Sequence, residues 1–339
     1  MTSRAMFVAA LSVLGFVMVS GQGGGQTPPA PPTDSVATDI PGVVAAGTKI
    51  HPFKINNGGS EGPVVLPDGG IAFTERTTNR VFRIGMDDTV SLLVENPGGA
   101  LGMGVDPKGR LIATLTAPPG KARIGVIHPK GQEAVLASTC DGVQINRPND
   151  LIVSTKGGVY YTDPGPSDAE VADGYPKSEG IVCYIAPGAG KAVKVAGNIQ
   201  RPNGIQLSPD EKTLYVTNGP LWSAAERRPV TFVMAFDVEP DGSLNSARPF
   251  ARTGADGMAV DTAGRLYVAV PPSSYRPDEI LGVRVYNPDG RLLGTIPTGL
   301  PPNSVAFGGP DKRTLYIVGR RSGLQKIRLL SQGIQSRAK

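Results

Sequence analysis

Along most of the chain, short apolar runs alternate with polar turns in one recurring plan: a polar entry residue, an apolar strand, a tight turn and a second apolar strand. Arg201-Pro-Asn-Gly-Ile-Gln-Leu-Ser-Pro-Asp-Glu-Lys-Thr-Leu-Tyr-Val-Thr-Asn218 shows it in full. The copy from Arg147 to Pro164 has the same Arg-Pro-Asn opening. Stretches 61–74, 256–269 and 303–318 keep the plan behind a different first residue, and 102–113 is a weaker copy. The heads fall at 61, about 102, 149, 203, 256 and 303. Steps of this size, filled with short strands, signal a propeller, whose blades are four-stranded sheets that bury both faces against their neighbours.

The pattern predicts an all-β protein, a six-bladed β-propeller over residues 47–330, with the two strands of each copy innermost. Val81 to Ile84, Ser91 to Val94, Ile124 to His128, Ile181 to Ala186, Thr231 to Val238 and Val283 to Asn287 fall in outer positions. Ile50 to Ile55 and Leu324 to Leu329 are expected to complete one blade from opposite ends of the chain. Pro164 to Gly180 and Gly219 to Pro229, which carry Tyr175 and Trp222, read as loops over one mouth.

Composition agrees. The 339 residues include 45 Gly and 32 Pro, which suit turns between short strands better than long helices. The formal charge of +5 is scattered and aromatic residues are few, so no nucleic-acid footprint is expected. Residues 1–21 read as a signal peptide: Arg4, an apolar Ala5 to Val19, then small residues at Val19-Ser20-Gly21. Export to the periplasm or medium is expected, with no stable membrane span after cleavage; retention of the segment as an anchor is the alternative. Residues 22–46 read as a Pro/Gly-rich disordered linker and 331–339 as a C-terminal tail. Cys140 and Cys183 allow one bridge in an oxidising compartment. Oligomeric state is not legible.

Equivalent heads converge at the mouth of a propeller channel, and four of them are oxygen donors: Glu61, Asn149, Asn203 and Asp256. Two carboxylates and two amides form a hard-oxygen set suited to one divalent cation, Ca²⁺ first, with Mg²⁺ and Mn²⁺ as alternatives. Zn²⁺ comes last, because the set holds no His or Cys. Asn-Gly and Asp-Gly are also common in turns, so any single head can be structural; Asn303 is read that way.

Glu61-Gly-Pro, Arg147-Pro-Asn-Asp150, Asn203-Gly with Ser208-Pro-Asp210, Asp256-Gly-Met-Ala-Val-Asp261 and Ala306-Phe-Gly-Gly-Pro-Asp311 resemble the family of gluconolactonases, regucalcin (senescence marker protein) and luciferin-regenerating enzyme, over about residues 58–330. The resemblance implies a six-bladed metal-dependent lactone hydrolase acting on a small-molecule lactone. It implies that Glu61, Asn203 and Asp256 ligate the metal, that Asn149 lies at the metal or touches substrate, and that Arg147 binds substrate oxygens. Asp256 is the candidate proton acceptor for the attacking water, with a role as ligand alone as the alternative. The rival readings are a non-catalytic ligand-binding propeller with a structural metal, and a strictosidine synthase-like activity with Glu179 as its acid or base. Gly58-Gly-Ser60-Glu-Gly62 matches a serine nucleophile motif in letters only, because a strand comes after it rather than a helix. His51 and His128 are too scattered to suggest a dyad.

Overall fold

The computed structural model describes residues 35–53, 60–118, 120–166, 171–172, 178–223, 228–270, 280–299, 301–319 and 323–339. The signal segment, the first part of the linker and Tyr175 lie outside them. The described strands form six sheets arranged as the blades of a β-propeller. Blade one holds Ser60–Val65, Ile71–Glu75, Arg80–Ile84 and Val90–Glu95. Blade two runs from Ala100–Val105 to Ala134–Ala137, and blade three from Leu151–Val153 to Ala192–Ala196. Blade four runs from Ile205–Leu207 to Leu244–Ala251, and blade five from Met258–Val260 to Leu292–Pro297.

Blade six joins both ends of the chain. Its strands Ser304–Gly308, Thr314–Gly319 and Gly323–Arg328 are completed by Lys49–Phe53. Ile50 lies opposite Ile327 and Phe53 opposite Leu324, the closure expected from sequence.

Blade-on-blade packing explains the apolar runs. The second strands Ile71–Glu75, Leu111–Leu115 and Val159–Asp163 are buried along their whole length, whereas the outermost Val90–Glu95 is partly exposed. Val64, Ala72 and Val81 of blade one pack against Met103, Leu111 and Ala113 of blade two. Each fully buried Val, Leu or Ile contributes about 1.5–3 kcal/mol. The hairpin turns are tied by side chains: Asp106 accepts N–H bonds from Lys108 and Arg110, and Asp261 accepts them from Ala263 and Arg265.

Three stretches differ from the sequence expectation. Residues 35–46, assigned to the linker, join the domain: Ser35–Val36 pairs with Lys49–Ile50, and Ala37, Ile40, Val43 and Val44 are buried against blades five and six. Four small apolar side chains among Pro and Gly carry no period, yet they suffice to fill one seam. Gly219 to Ser223 lies in the second strand of blade four, and Leu221–Ser223 pairs with Arg228–Val230 where a loop was expected. Residues 331–339 are not a free tail: Gly333 bridges Asp261 of blade five, and Val65 N of blade one donates to Ala338 O.

Cys140 and Cys183 are joined by a disulfide across 43 residues, stapling a strand beside blade three to its third strand. Among the described residues no helix is long and apolar enough to cross a membrane.

Candidate functional site

The head residues occupy one ladder position in successive blades. The amide of Asn149 donates to Thr162 O (2.8 Å), that of Asp256 to Ala269 O (2.9 Å) and that of Asn303 to Val318 O (2.7 Å), and Glu61 lies opposite Thr74. Each head therefore stands against the same residue of its blade's second strand. In blade two that residue is Leu101, not the Gly102 expected from sequence, and it supplies no donor.

The residue after each head locks the ring. A Cβ on Gly62 would lie 2.1 Å from Leu101 O, one on Gly204 1.8 Å from Asp256 O, and one on Gly257 1.9 Å from Ser304 Oγ. Glu-Gly, Asn-Gly and Asp-Gly are thus not turn dipeptides here; the glycine admits the neighbouring blade's backbone. Threonines reinforce the same joints. Thr114 Oγ1 donates to Asn149 O (2.8 Å) and Thr162 Oγ1 to Asn203 O (2.7 Å), while Gly102 N donates to Asn149 O (2.9 Å) and Gly257 N to Asn303 O (2.8 Å). These bonds hold blades two to three, three to four and five to six at the level of the heads.

Glu61 is 8 % exposed and Asp256 6 %, whereas Asn149, Asn203 and Arg147 are half-buried. Arg76 Nη1 stands 3.7 Å from Glu61 Oε1. Asn303 is buried, and its Nδ2 has no hydrogen-bond partner. The sixth head therefore holds an uncommitted donor, which its reading as a structural residue did not anticipate.

Asp163 was missed from sequence. Its carboxylate accepts the N–H groups of Asn146 (2.7 Å), Arg147 (3.0 Å) and Gly165 (3.1 Å), fixing the approach to Asn149. Burial pushes its pKa above the ordinary value, against the opposing pull of those three donors. The signal was present: Thr162-Asp163 and Thr217-Asn218 end the two copies at the same phase, and Asn218 Oδ1 likewise accepts the Gln200 N–H (2.9 Å).

Other sequence candidates lie elsewhere. Glu179 is exposed and paired with Lys194 at 3.0 Å, which holds its carboxyl below the usual range; it is on no inner strand. His51 and His128 sit on outer strands of blades six and two. Ser60 opens a strand paired with Glu75. Among the described residues no group of three or more His, Cys, Asp or Glu is gathered to hold a metal, so a cation at the heads would need the amide oxygens.

The SMP-30/gluconolactonase/LRE-like region model matches residues 59–320. The gluconolactonase of Zymomonas mobilis is 29% identical over 289 residues, covering 76% of this chain and 75% of that protein. A 6-deoxy-6-sulfogluconolactonase of Pseudomonas putida is 33% identical over 141 residues, 39% of this chain and 42% of that protein. A gluconolactonase structure from Xanthomonas campestris superposes with a TM-score of 0.71 at 27% identity, covering 88% of this chain and 98% of that one. The propeller, its ring of heads and the extent of the match place the chain in one family: it belongs to the SMP-30/gluconolactonase/LRE-like proteins.

Proposed function

We propose that the chain hydrolyses the ester bond of a sugar lactone at the ring of heads, with one divalent cation, Ca²⁺ first, held by Glu61, Asn203, Asp256 and Asn149. Lactone hydrolysis is supported by its family and by relatives named for that activity. The observation that carries the site is the shared ladder position of Asn149, Asp256 and Glu61, with Asn203 tied to it through Thr162. Two carboxylates and two amide oxygens suit a hard cation, and the glycine contacts bring the blades close at that level. Such a cation, when bound, polarises the lactone carbonyl and acidifies water beside it.

The chain's own groups do the rest. Water adds to the carbonyl carbon as it gives up a proton, the ring oxygen leaves and takes that proton back from the acceptor, and the product is a hydroxy acid. Asp256 accepts the proton of the attacking water; its near-complete burial strengthens that interaction over one at the surface. Arg147, held by the Asp163 clamp, presents its guanidinium to sugar hydroxyls or to the product carboxylate. Export is part of the proposal, supported by the Cys140–Cys183 disulfide, a bond that persists in oxidising compartments.

The test is gluconolactone hydrolysis by wild type and Asp256→Ala, with and without chelator. Chelation is expected to abolish turnover and added Ca²⁺ to restore it, with Asp256→Ala at least about 100-fold slower. Full activity in chelator or in Asp256→Ala would sink the mechanism, and no activity on any lactone would favour the ligand-binding reading.

A further inference from the structure

Residues 331–339 pack on residues at and beside the hairpin turns between the first and second strands of the blades. Ser331 Oγ meets Tyr267 OH at 2.7 Å, Gly333 bridges Asp261, and Lys312 Nζ donates to Ile334 O (2.5 Å), Gln335 O (3.3 Å) and Arg337 O. Val65 N donates to Ala338 O (3.2 Å). The segment thus touches blades one, five and six through its backbone and Ser331, and its two cationic side chains, Arg337 and Lys339, are left for the other contacts.

Those side chains go to the two blades with twin openings. The Arg337 guanidinium, 2 % exposed, donates to Leu207 O (2.6 Å), Ser208 O (3.1 Å) and Gln206 Oε1 (3.4 Å) on blade four, and pairs with Glu211 at 3.3 Å. The Lys339 ammonium, 1 % exposed, bonds Asp150 Oδ1 and, at 3.1 Å, Leu151 O on blade three. Asp150 is the residue after the head Asn149. Its other oxygen accepts Ile205 N (3.4 Å), two residues after the head Asn203. One carboxylate therefore ties the inner strands of blades three and four together just beneath their heads, and Lys339 neutralises it.

We propose that residues 331–339 plug the channel and that Lys339 and Arg337 are positioning residues, holding the Asn149 and Asn203 strands in register from below. Five blades meet at the segment, both cations are buried, and their acceptors lie on the strands that carry the two amide heads. Without Lys339, Asp150 is a buried carboxylate lacking its charge partner, and water enters from the turn face to solvate it. The strands then lose the brace that fixes their spacing.

The experiment uses the full chain as wild type, Lys339→Met, Lys339→Arg and the double variant Asp150→Asn/Lys339→Met. Amide exchange is followed over all six inner strands, and lactone kinetics are measured at a temperature at which circular dichroism shows each variant to be folded. Faster exchange confined to 149–153 and 203–208 is expected in Lys339→Met, with kcat/KM lowered at least about tenfold; Lys339→Arg and the double variant recover most of both. Unchanged exchange, or exchange quickened equally in all blades, overturns the proposal, as does a lowered melting temperature with kcat/KM intact. The kinetic arm rests on the hydrolase reading. A wild type that cleaves no lactone would refute that reading, while the exchange pattern still decides the plug.

Discussion

Blades three and four begin with the same three residues, Arg147-Pro-Asn149 and Arg201-Pro-Asn203, and the structure uses them differently. In blade three the approach is pinned by Asp163, which takes three N–H groups, and the residue after the head is Asp150, whose carboxylate reaches blade four and Lys339. In blade four the approach differs: Arg201 lies in the left-handed region at φ 50°, and among the described residues Asn218 takes one N–H, that of Gln200. There the residue after the head is Gly204, pressed onto Asp256 O. Three shared letters place an amide at the start of each blade's inner strand, and the flanking residues differ in what they bind. Blade three fixes the backbone of its arginine through Asp163; blade four sets the glycine after its asparagine hard against the Asp256 backbone.

Changes to those flanks should separate the two blades. The largest effect is expected from Gly204→Ala, whose methyl would meet Asp256 O; a loss of at least about 3 kcal/mol in urea unfolding is the anticipated result. A neutral Gly204→Ala would mean that the joint between blades four and five is not tight. Blade three alone carries a disulfide, so Cys140→Ser/Cys183→Ser should cost about 2 to 3 kcal/mol in the same assay, and reductant should reproduce the loss in wild type. Next is the clamp. Asp163→Ala strands three N–H groups and should cost about 2 kcal/mol while raising KM for the lactone, whereas Asn218→Ala releases one and should cost under about 1 kcal/mol. Equal costs for the two would erase the contrast between the blades.

The repeat was legible because each copy keeps two apolar strands around a short polar turn, and apolar stretches left over at the two ends, Ile50 to Ile55 and Leu324 to Leu329, pointed to one shared blade, in which Ile50 lies opposite Ile327. The heads were legible because Glu61, Asn149, Asn203 and Asp256 stand at one phase of that repeat. The use of Gly204 was not legible: Asn-Gly is also common in turns, and only the neighbouring blade shows that the space is taken by Asp256 O. The shared phase of Asp163 and Asn218 marked the position, but not the use: the partners of Asp163 are backbone amides, which the sequence does not single out. Ile40, Val43 and Val44 lack a period and read as linker, and Arg337 and Lys339 read as surface charge because their acceptors, Leu207 O and Asp150, are more than 100 residues away in sequence.

The central claim is that the heads hold a cation, and calorimetric titration of Ca²⁺ tests it most directly. Into metal-free wild type, the expected result is one cation per chain; into Asn203→Ala, which keeps Gly204 and the backbone carbonyl that Thr162 binds, binding at least about tenfold weaker. Wild type that takes up no divalent cation, or Asn203→Ala that binds as tightly as wild type, would contradict the assignment of the ring as a metal site.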